Sequence, residues 1–409
     1  MNSLNRFFTV LDGMAASLGL GNVRLDADAL IAAALRRAGR SEFSDTSFVP
    51  ALRLLLDAYE REASLNVFGR HAAKWDALRC LSNLLRFEVE EEKDGAILRA
   101  PIERPVFITG FPRSGTTLLH SLLAEDPSLM IPRVWQTIAP YPAHGRDTRE
   151  QSVDRQLRIF QRLAPEMVSL HPMAANSPQE CTEITAQVFQ SVRYEATHRV
   201  PAYQSWLDAH GHTDAYRFHK RFLQHLQHQK CGELWVLKCP DHLHALNAID
   251  VVYPDARMIF VHRDPLRVIA SAAKLTEVLR RPFTRKIDKP EIGRQVVGRV
   301  VESADAMVAR AKASSAERVF HLHHAVFAAD PVGTMESVYR YFGVPLAPDV
   351  RQGIRAHLAR AGSTDNRYSF EEFGIDTAEL CTRFEPYMNQ FGVKRECAAW
   401  EDARARIAA

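Results

Sequence analysis

From residue 105 onward, hydrophobic and polar positions alternate between short apolar runs and longer stretches of helical period. The apolar runs at 105–109, 234–238, 257–262 and 318–323 predict strands, and helices are predicted between them. Strands that alternate with helices are typical of a parallel sheet covered on both faces. The pattern therefore predicts an α/β fold with three layers around a parallel sheet.

The first hundred residues have a different pattern, because their apolar positions recur at helical spacing. Three stripes comprise Leu25, Ala29, Leu30 and Ala33; Leu52, Leu55, Leu56 and Tyr59; and Leu78, Leu81, Leu84 and Leu85. We predict a helical N-terminal extension over 1–100, an α/β domain over 101–409, and a helical insertion at 131–233 within that domain. The stripes are interpreted as core, with a homodimer interface or a channel wall as the alternative.

The octet Gly110-Phe-Pro-Arg-Ser-Gly-Thr-Thr117 directly follows the first predicted strand, and leucines at helical spacing follow it. It is therefore a strand-to-helix turn, which points backbone N–H groups and the positive end of a helix dipole at one spot. This arrangement favours an anion. Gly110 and Gly115 bracket four residues, as in the ATP-binding P-loop. Thr116, however, stands where that loop has its lysine, and the cation is Arg113.

A second motif follows the strand predicted at 257–262. Asp264 is suited to cap a helix and Pro265 to begin it. Ser271 lies seven residues after Asp264, which is about two helical turns, and so returns to the same face. We therefore expect Arg263 and Ser271 to converge on one phosphate.

In this order, the two motifs resemble those of the sulfotransferase family, whose donor is 3′-phosphoadenosine-5′-phosphosulfate. That family has a Pro-Lys/Arg-Ser-Gly-Thr-Thr turn for the 5′-phosphosulfate, which here corresponds to Pro112, Arg113, Ser114, Gly115, Thr116 and Thr117. An Arg and a Ser at the spacing of Arg263 and Ser271 hold the 3′-phosphate in the family. The resemblance covers roughly residues 104–392, and it implies that Arg367, in a late basic-aromatic segment, closes over the donor.

The resemblance implies transfer of a sulfonyl group to an acceptor, usually a hydroxyl. Such a reaction needs cations for the phosphate leaving group and a base for the acceptor's proton. Arg113 is the expected first cation. Lys238, at a strand end, is the expected second, with a solvent-exposed lysine as the alternative.

A third role is that of the base. Some members of the family carry a Glu about twenty residues after the loop, but residues 131–136 contain no carboxylate. Glu180, in a turn that we predict to open a helix, is our choice. A Glu in a first helical turn that serves only the helix dipole is the alternative. His171 and His242 are the next candidates, since a histidine titrates near neutrality.

Composition limits the remaining possibilities. The 409 residues are 46% hydrophobic and 25% charged with a net charge of +3, so we expect no nucleic-acid partner. No apolar run reaches the ~18 residues that span a bilayer. The six cysteines form no paired spacing, so we expect reduced thiols. Together these features lead us to expect a cytoplasmic location. The 17 histidines show no metal spacing, and we expect no metal. The acceptor is expected to be a small molecule, a lipid or a carbohydrate, bound by the insertion.

Two other functions remain open at the level of sequence. A small-molecule kinase can use the same loop architecture, but the loop lysine is missing and no acidic magnesium ligand is obvious on a neighbouring strand. A non-catalytic nucleotide-binding protein of the same fold would bind the donor and transfer nothing.

Overall fold

The computed structural model of the chain describes residues 23–142, 146–170, 172–230, 232, 234–313, 318–360, 369–397 and 400. These residues divide into two compact units. The first takes its residues from 1–101, 132–230 and 276–287, and the second from 102–131, 231–275 and 288–409. The N-terminal helices and the segment after residue 131 thus contribute to the same unit.

Helices account for most of the described chain. In chain order they are α1 (Ala27–Ala38), α2 (Val49–Arg61), α3 (Val67–Lys93), α4 (Thr116–Leu123), α5 (Val134–Ile138), α6 (Arg149–Leu163), α7 (Met167–Leu170), α8 (Thr182–Thr185), α9 (Arg193–Thr197), α10 (Pro201–His210), α11 (Thr213–Gln229), α12 (Leu246–Val252), α13 (Pro265–Arg280), α14 (Lys289–Ala313), α15 (His324–Ala329), α16 (Pro331–Phe342), α17 (Pro348–Arg360) and α18 (Thr377–Phe391). Helices α1–α3 and α5–α11 belong to the first unit, which contains none of the named strands of the described chain.

The strands of the second unit form one parallel sheet. They are β1 (Val106–Gly110), β2 (Leu129–Met130), β3 (Leu234–Lys238), β4 (Arg257–His262) and β5 (Val319–His323), in the order β2-β3-β1-β4-β5. The predicted α/β fold is confirmed, and the four predicted strands agree with the observed ones to within one residue. Strand β2 was not predicted, because two residues are too few to show a pattern.

The sheet register brings the ends of the central strands together. Ile108 of β1 pairs with Lys238 of β3 on one side and with Ile259 of β4 on the other. The next residues along β1 and β4 therefore leave the sheet at the same edge. In open parallel sheets this carboxyl edge is where ligands bind.

One hydrophobic cluster fixes the helix that follows β1. It joins Val106 and Ile108 of β1 to Leu119, Leu122 and Leu123 of α4, all fully buried. Each buried leucine contributes about 1.5–3 kcal/mol relative to an exposed one. This packing holds the first turn of α4 beside the carboxyl edge of the sheet.

In the first unit, the predicted stripes of α2 and α3 are buried. Their members are Leu52, Leu55, Leu56, Tyr59, Leu78, Leu81, Leu84 and Leu85. The stripe of α1 was partly wrong, since Ala29 is exposed and the buried face instead contains Ala27, Leu30 and Ala34. Alanine is found both in the core and on the surface, so the alanine positions in the sequence do not show which face of the helix is buried.

Candidate active site

The loop between β1 and α4 has a backbone shape that few sequences can adopt. Gly110 has a φ of 152°, and a Cβ there would lie 2.4 Å from the carbonyl oxygen of Val261 on β4. Gly115 has a φ of 97°, where a residue with a side chain is strained. Arg113 has a φ of 66°, so a non-glycine residue is held in the left-handed region. The predicted strand-to-helix turn is confirmed, with Arg113 at its centre and α4 beginning at Thr116.

Ser114 is the fully buried polar residue of this loop. Its backbone N–H donates to the carbonyl of Phe111 at 3.2 Å, while its Oγ has no hydrogen-bond partner among the described residues. Buried hydroxyls are usually satisfied. The first N–H groups of α4 also have no partner within the helix. The loop is thus suited to an anion with several acceptor oxygens.

Lys238 joins this loop from the neighbouring strand. Its side chain is only 2% exposed, and its Nζ donates to Thr117 Oγ1 at 3.2 Å. The alternative of a solvent-exposed lysine at the strand end is therefore wrong. The charge of Lys238 is directed to the start of α4.

Arg263 and Ser271 meet at the loop, from a motif about 150 residues further along the chain. Ser271 Oγ accepts a hydrogen bond from Arg113 Nε at 3.2 Å, and Arg263 Nη1 donates to the Arg113 carbonyl at 2.8 Å. The two residues converge, as their spacing predicts, and they do so on Arg113. The two sequence motifs thus form one site.

The start of α13 explains this convergence. The helix begins at Pro265, and Asp264 Oδ1 accepts from the N–H of Leu266 at 2.9 Å, as the sequence predicts. Asp264 is fully buried, and burial raises the pKa of its carboxyl above its ordinary value. The capped helix holds Ser271 two turns beyond the end of β4.

The charge of the site comes from Arg and Lys rather than from the nearby histidine. His324, at the start of α15, lies next to Gly115. Burial and the neighbouring charge of Arg263 lower the pKa of His324. The ring is therefore neutral near pH 7, while Arg113, Lys238 and Arg263 supply positive charge around the loop.

Glu180 belongs to the first unit and precedes a short helix. It is partly exposed and lies two residues before α8, whose first turn contains Glu183 instead. The expectation that Glu180 begins the helix was wrong, because the helix starts later. The preceding Gln179 donates its N–H to the carbonyl of Pro132 at 2.8 Å, which ties this turn to the segment just before α5.

A buried ionic network holds the segment that follows Glu180. Glu183 pairs with Arg193 at 3.0 Å, and Arg193 also pairs with Asp76 of α3, which pairs with Arg79 at 2.7 Å. Burial by itself would raise the pKa of Asp76. The guanidinium groups of Arg193 and Arg79 outweigh that effect and hold this pKa well below its ordinary value. The network fixes α8 and α9 to α3.

Of the three remaining candidates, His242 lies within the described residues. His171 and Arg367 lie outside the described residues. His242 is fully buried, with its ring edge-to-face on Phe107 at 4.9 Å, which is a core environment.

Within the described ranges, no group of three His, Cys, Asp or Glu side chains is placed to hold a metal ion. No helix in that part of the chain is long and apolar enough to cross a membrane.

Fold and loop together define the class of protein. The sequence model of the sulfotransferase family matches residues 105–348, more than half of the chain, and the chain therefore belongs to that family. The matched range begins at β1 and contains the loop, Lys238, Arg263 and Ser271. The chain is a sulfotransferase, and neither the kinase nor the non-catalytic alternative is supported.

The chain is also similar to individual sulfotransferases, one by sequence and two by structure. The chain is 24% identical over 265 residues to the omega-hydroxy-beta-dihydromenaquinone-9 sulfotransferase Stf3 of Mycobacterium bovis, covering 62% of this chain and 67% of the relative. The crystal structure of sulfotransferase STF9 from Mycobacterium avium matches with 28% identity and a TM-score of 0.82, over 90% of this chain and 97% of that one. Sulfotransferase STF1 from Mycobacterium tuberculosis matches with 29% identity and a TM-score of 0.77, over 88% and 98%. The structural similarity thus extends into the N-terminal helices, which carry no family signal in sequence.

Proposed function

We propose that the sulfonyl donor is 3′-phosphoadenosine-5′-phosphosulfate and that it binds at residues 112–117, Arg263 and Ser271. The observation that carries this proposal is the contact of both Arg263 and Ser271 with Arg113. A nucleotide with phosphates on both sides of its ribose needs two anion sites at a fixed separation. A loop and a helix start that share one arginine supply such a pair.

The residues present fit this donor. The buried Oγ of Ser114 has no hydrogen-bond partner in the described chain and can donate to a phosphate oxygen. The N–H groups at the start of α4 can do the same for further oxygens. Arg263 is a planar donor that matches the geometry of the 3′-phosphate.

The chain's own residues then have distinct tasks in the transfer. A bond forms between the acceptor oxygen and sulfur, while the bond from sulfur to the bridging phosphate oxygen breaks and its electron pair stays on the phosphate. Arg113 and Lys238 stabilise the charge that builds on that phosphate, since fixed cations near developing charge lower the barrier. Glu180 accepts the proton that the acceptor hydroxyl loses.

We assign the acceptor to the class of apolar, lipid-like molecules that carry a hydroxyl. The support is the name of the curated relative, an omega-hydroxy-dihydromenaquinone sulfotransferase. An aliphatic hydroxyl is weakly acidic and depends on a base, which agrees with a role for Glu180. The segment 131–233, which contains Glu180, is the expected site of acceptor recognition.

The donor assignment is tested by binding of two nucleotides that differ only in the 3′-phosphate. By calorimetry, 3′,5′-adenosine bisphosphate should bind the wild-type protein more tightly than adenosine 5′-phosphate. Arg263→Ala removes charge-assisted hydrogen bonds worth about 1.5–3 kcal/mol each, so bisphosphate affinity should fall at least tenfold. Affinity for the monophosphate should barely change.

Arg294→Ala is the matched control, because Arg294 is an exposed arginine of α14 in the same unit. It should leave both affinities unchanged. Equal weakening of the two nucleotides by Arg263→Ala would make Arg263 a structural residue and overturn the assignment.

The acceptor class is tested by mass spectrometry. Purified protein and the donor are incubated with hydroxylated quinones, fatty alcohols, phenols and sugars, and products are searched for an added sulfonate. We expect the aliphatic, lipid-like alcohols to be modified. Modification confined to sugars or phenols would contradict the acceptor assignment and leave the donor assignment intact.

A further inference from the structure

A carboxylate of the chain itself lies on the cation assigned to the 3′-phosphate. Glu396, in the segment after α18, accepts from Arg263 Nε at 3.2 and 3.3 Å and from Arg263 Nη2 at 3.0 Å. These contacts use the Nε–Nη2 edge, one of the two edges with which a guanidinium forms bidentate pairs. Nη1, on the other edge, already donates to the Arg113 carbonyl.

This contact is built into the fold. Asp264, the residue after Arg263, accepts from the backbone N–H of Glu396 at 2.7 Å and of Cys397 at 3.1 Å. It also accepts from the indole Nε1 of Trp400 at 2.9 and 3.0 Å, and Trp400 is only 3% exposed. Asp264 therefore fixes the backbone of this segment where the side chain of Glu396 reaches Arg263.

The Arg263–Glu396 pair is half-buried. Its side chains are 19% and 22% exposed, so their attraction is screened less than that of a surface pair. A 3′-phosphate that took the same edge of Arg263 would meet the negative charge of Glu396. The carboxylate and the phosphate repel each other, so only one of them can occupy the Nε–Nη2 edge of Arg263 at a time.

We propose that Glu396 is a specificity-determining residue of the donor site, which competes with the 3′-phosphate for Arg263. This inference rests on the proposed function. Glu396 lowers the affinity for nucleotides that carry a 3′-phosphate and leaves the affinity for those that lack it unchanged. The spent nucleotide keeps its 3′-phosphate after transfer, so the carboxylate also favours product release.

The test is Glu396→Gln, which keeps the shape of the side chain and removes its charge. By calorimetry, 3′,5′-adenosine bisphosphate should bind roughly three- to tenfold more tightly, as expected for removing one nearby like charge. In stopped-flow experiments its dissociation should slow by a similar factor. Affinity for adenosine 5′-phosphate should not change.

Glu385→Gln is the control for net charge. Glu385 lies on α18, is about half exposed and faces Arg395 at 4.0 Å rather than Arg263. It should change neither affinity. Weaker or unchanged bisphosphate binding in Glu396→Gln would overturn the inference, because Glu396 would then orient Arg263 or have no influence on it. A change of equal size for both nucleotides would also overturn it.

Failure of the proposed function has a different signature. If the wild-type protein binds the bisphosphate no better than the monophosphate, Arg263 does not bind a 3′-phosphate, and both proposals fall. If the wild type discriminates and Glu396→Gln gains nothing, only the role of Glu396 is lost.

Discussion

Glu180 and Glu183 lie three residues apart in the first unit, yet their surroundings differ. Glu183 pairs with Arg193 and through it with Asp76, which ties it into a buried network. Glu180 is partly exposed and stands before α8. Glu183 therefore has a structural role at the helix start, and the proposed role of Glu180 as the base can be tested separately from it.

Glu180→Gln tests this distinction because it removes basicity and keeps the shape. We expect turnover to fall by roughly 10²–10⁴, as is typical for loss of a positioned base. The loss should be largest with alcohol acceptors and smaller with acidic phenols, which release a proton more easily. Turnover at saturating donor and calorimetric binding of 3′,5′-adenosine bisphosphate are the measurements, and binding should be unchanged.

Glu183→Gln is the matched variant in the same segment. It leaves Arg193 short of one partner, so we expect a loss of about 1–3 kcal/mol in the free energy of unfolding. The turnover of this variant should depend on the pKa of the acceptor in the same way as that of the wild-type protein. Near-normal rates of Glu180→Gln on an alcohol would exclude Glu180 as the base.

At the scale of elements, the site depends on how closely β1 approaches β4. A Cβ at Gly110 would lie 2.4 Å from the Val261 carbonyl oxygen, and its φ of 152° strains any other residue. Neither strand can move easily, since both are buried along their length. The loop geometry is thus set by contact between two backbones.

Gly110→Ala is therefore expected to destabilise the protein by on the order of 1–3 kcal/mol and to weaken donor binding. Urea unfolding and calorimetry with 3′,5′-adenosine bisphosphate measure the two effects. Gly298→Ala in the middle of α14 is the control, because a Cβ there meets nothing within 4 Å. It should raise stability by roughly 0.5–1 kcal/mol. Equal behaviour of the two variants would contradict the role of Gly110.

The elements near the site could be predicted because each of them is specified by neighbouring residues in the sequence. The apolar run of β1, the glycines of the loop and the Asp264–Pro265 helix start each act within a few residues of the chain. The position of Glu396 could not be predicted, since it lies 133 residues after Arg263 and a contact over that separation leaves no pattern in a single sequence. The late start of α8 was missed for another reason, because Pro178 and Glu180 also favour an earlier helix start.

At the scale of the whole molecule, buried histidines set the response to acid. Burial lowers the pKa of both His198 and His219 to about 3. In the unfolded chain these groups titrate near 6.5. The unfolded chain therefore binds more protons on acidification, so stability is present in full above pH ~6.5 and is lost as the pH falls toward the folded pKa.

We expect the free energy of unfolding to fall between pH 6.5 and 5, with each histidine contributing up to ~1.4 kcal/mol per pH unit. Urea unfolding at a series of pH values measures this slope. His219→Phe keeps a ring next to Tyr216, on which His219 stacks at 5.4 Å, and removes one titrating group. The slope should decrease by up to ~1.4 kcal/mol per pH unit, which is the contribution of one titrating histidine. An unchanged slope would show that His219 takes up no proton on unfolding.

A crystal structure with 3′,5′-adenosine bisphosphate bound tests the central claim most directly. We expect the 5′-phosphate at the N–H groups of residues 115–117 and the Ser114 hydroxyl. The 3′-phosphate should lie on Arg263 and Ser271, with Glu396 displaced from the Nε–Nη2 edge of Arg263. A nucleotide bound away from this loop, or one whose 3′-phosphate contacts neither Arg263 nor Ser271, would contradict the account.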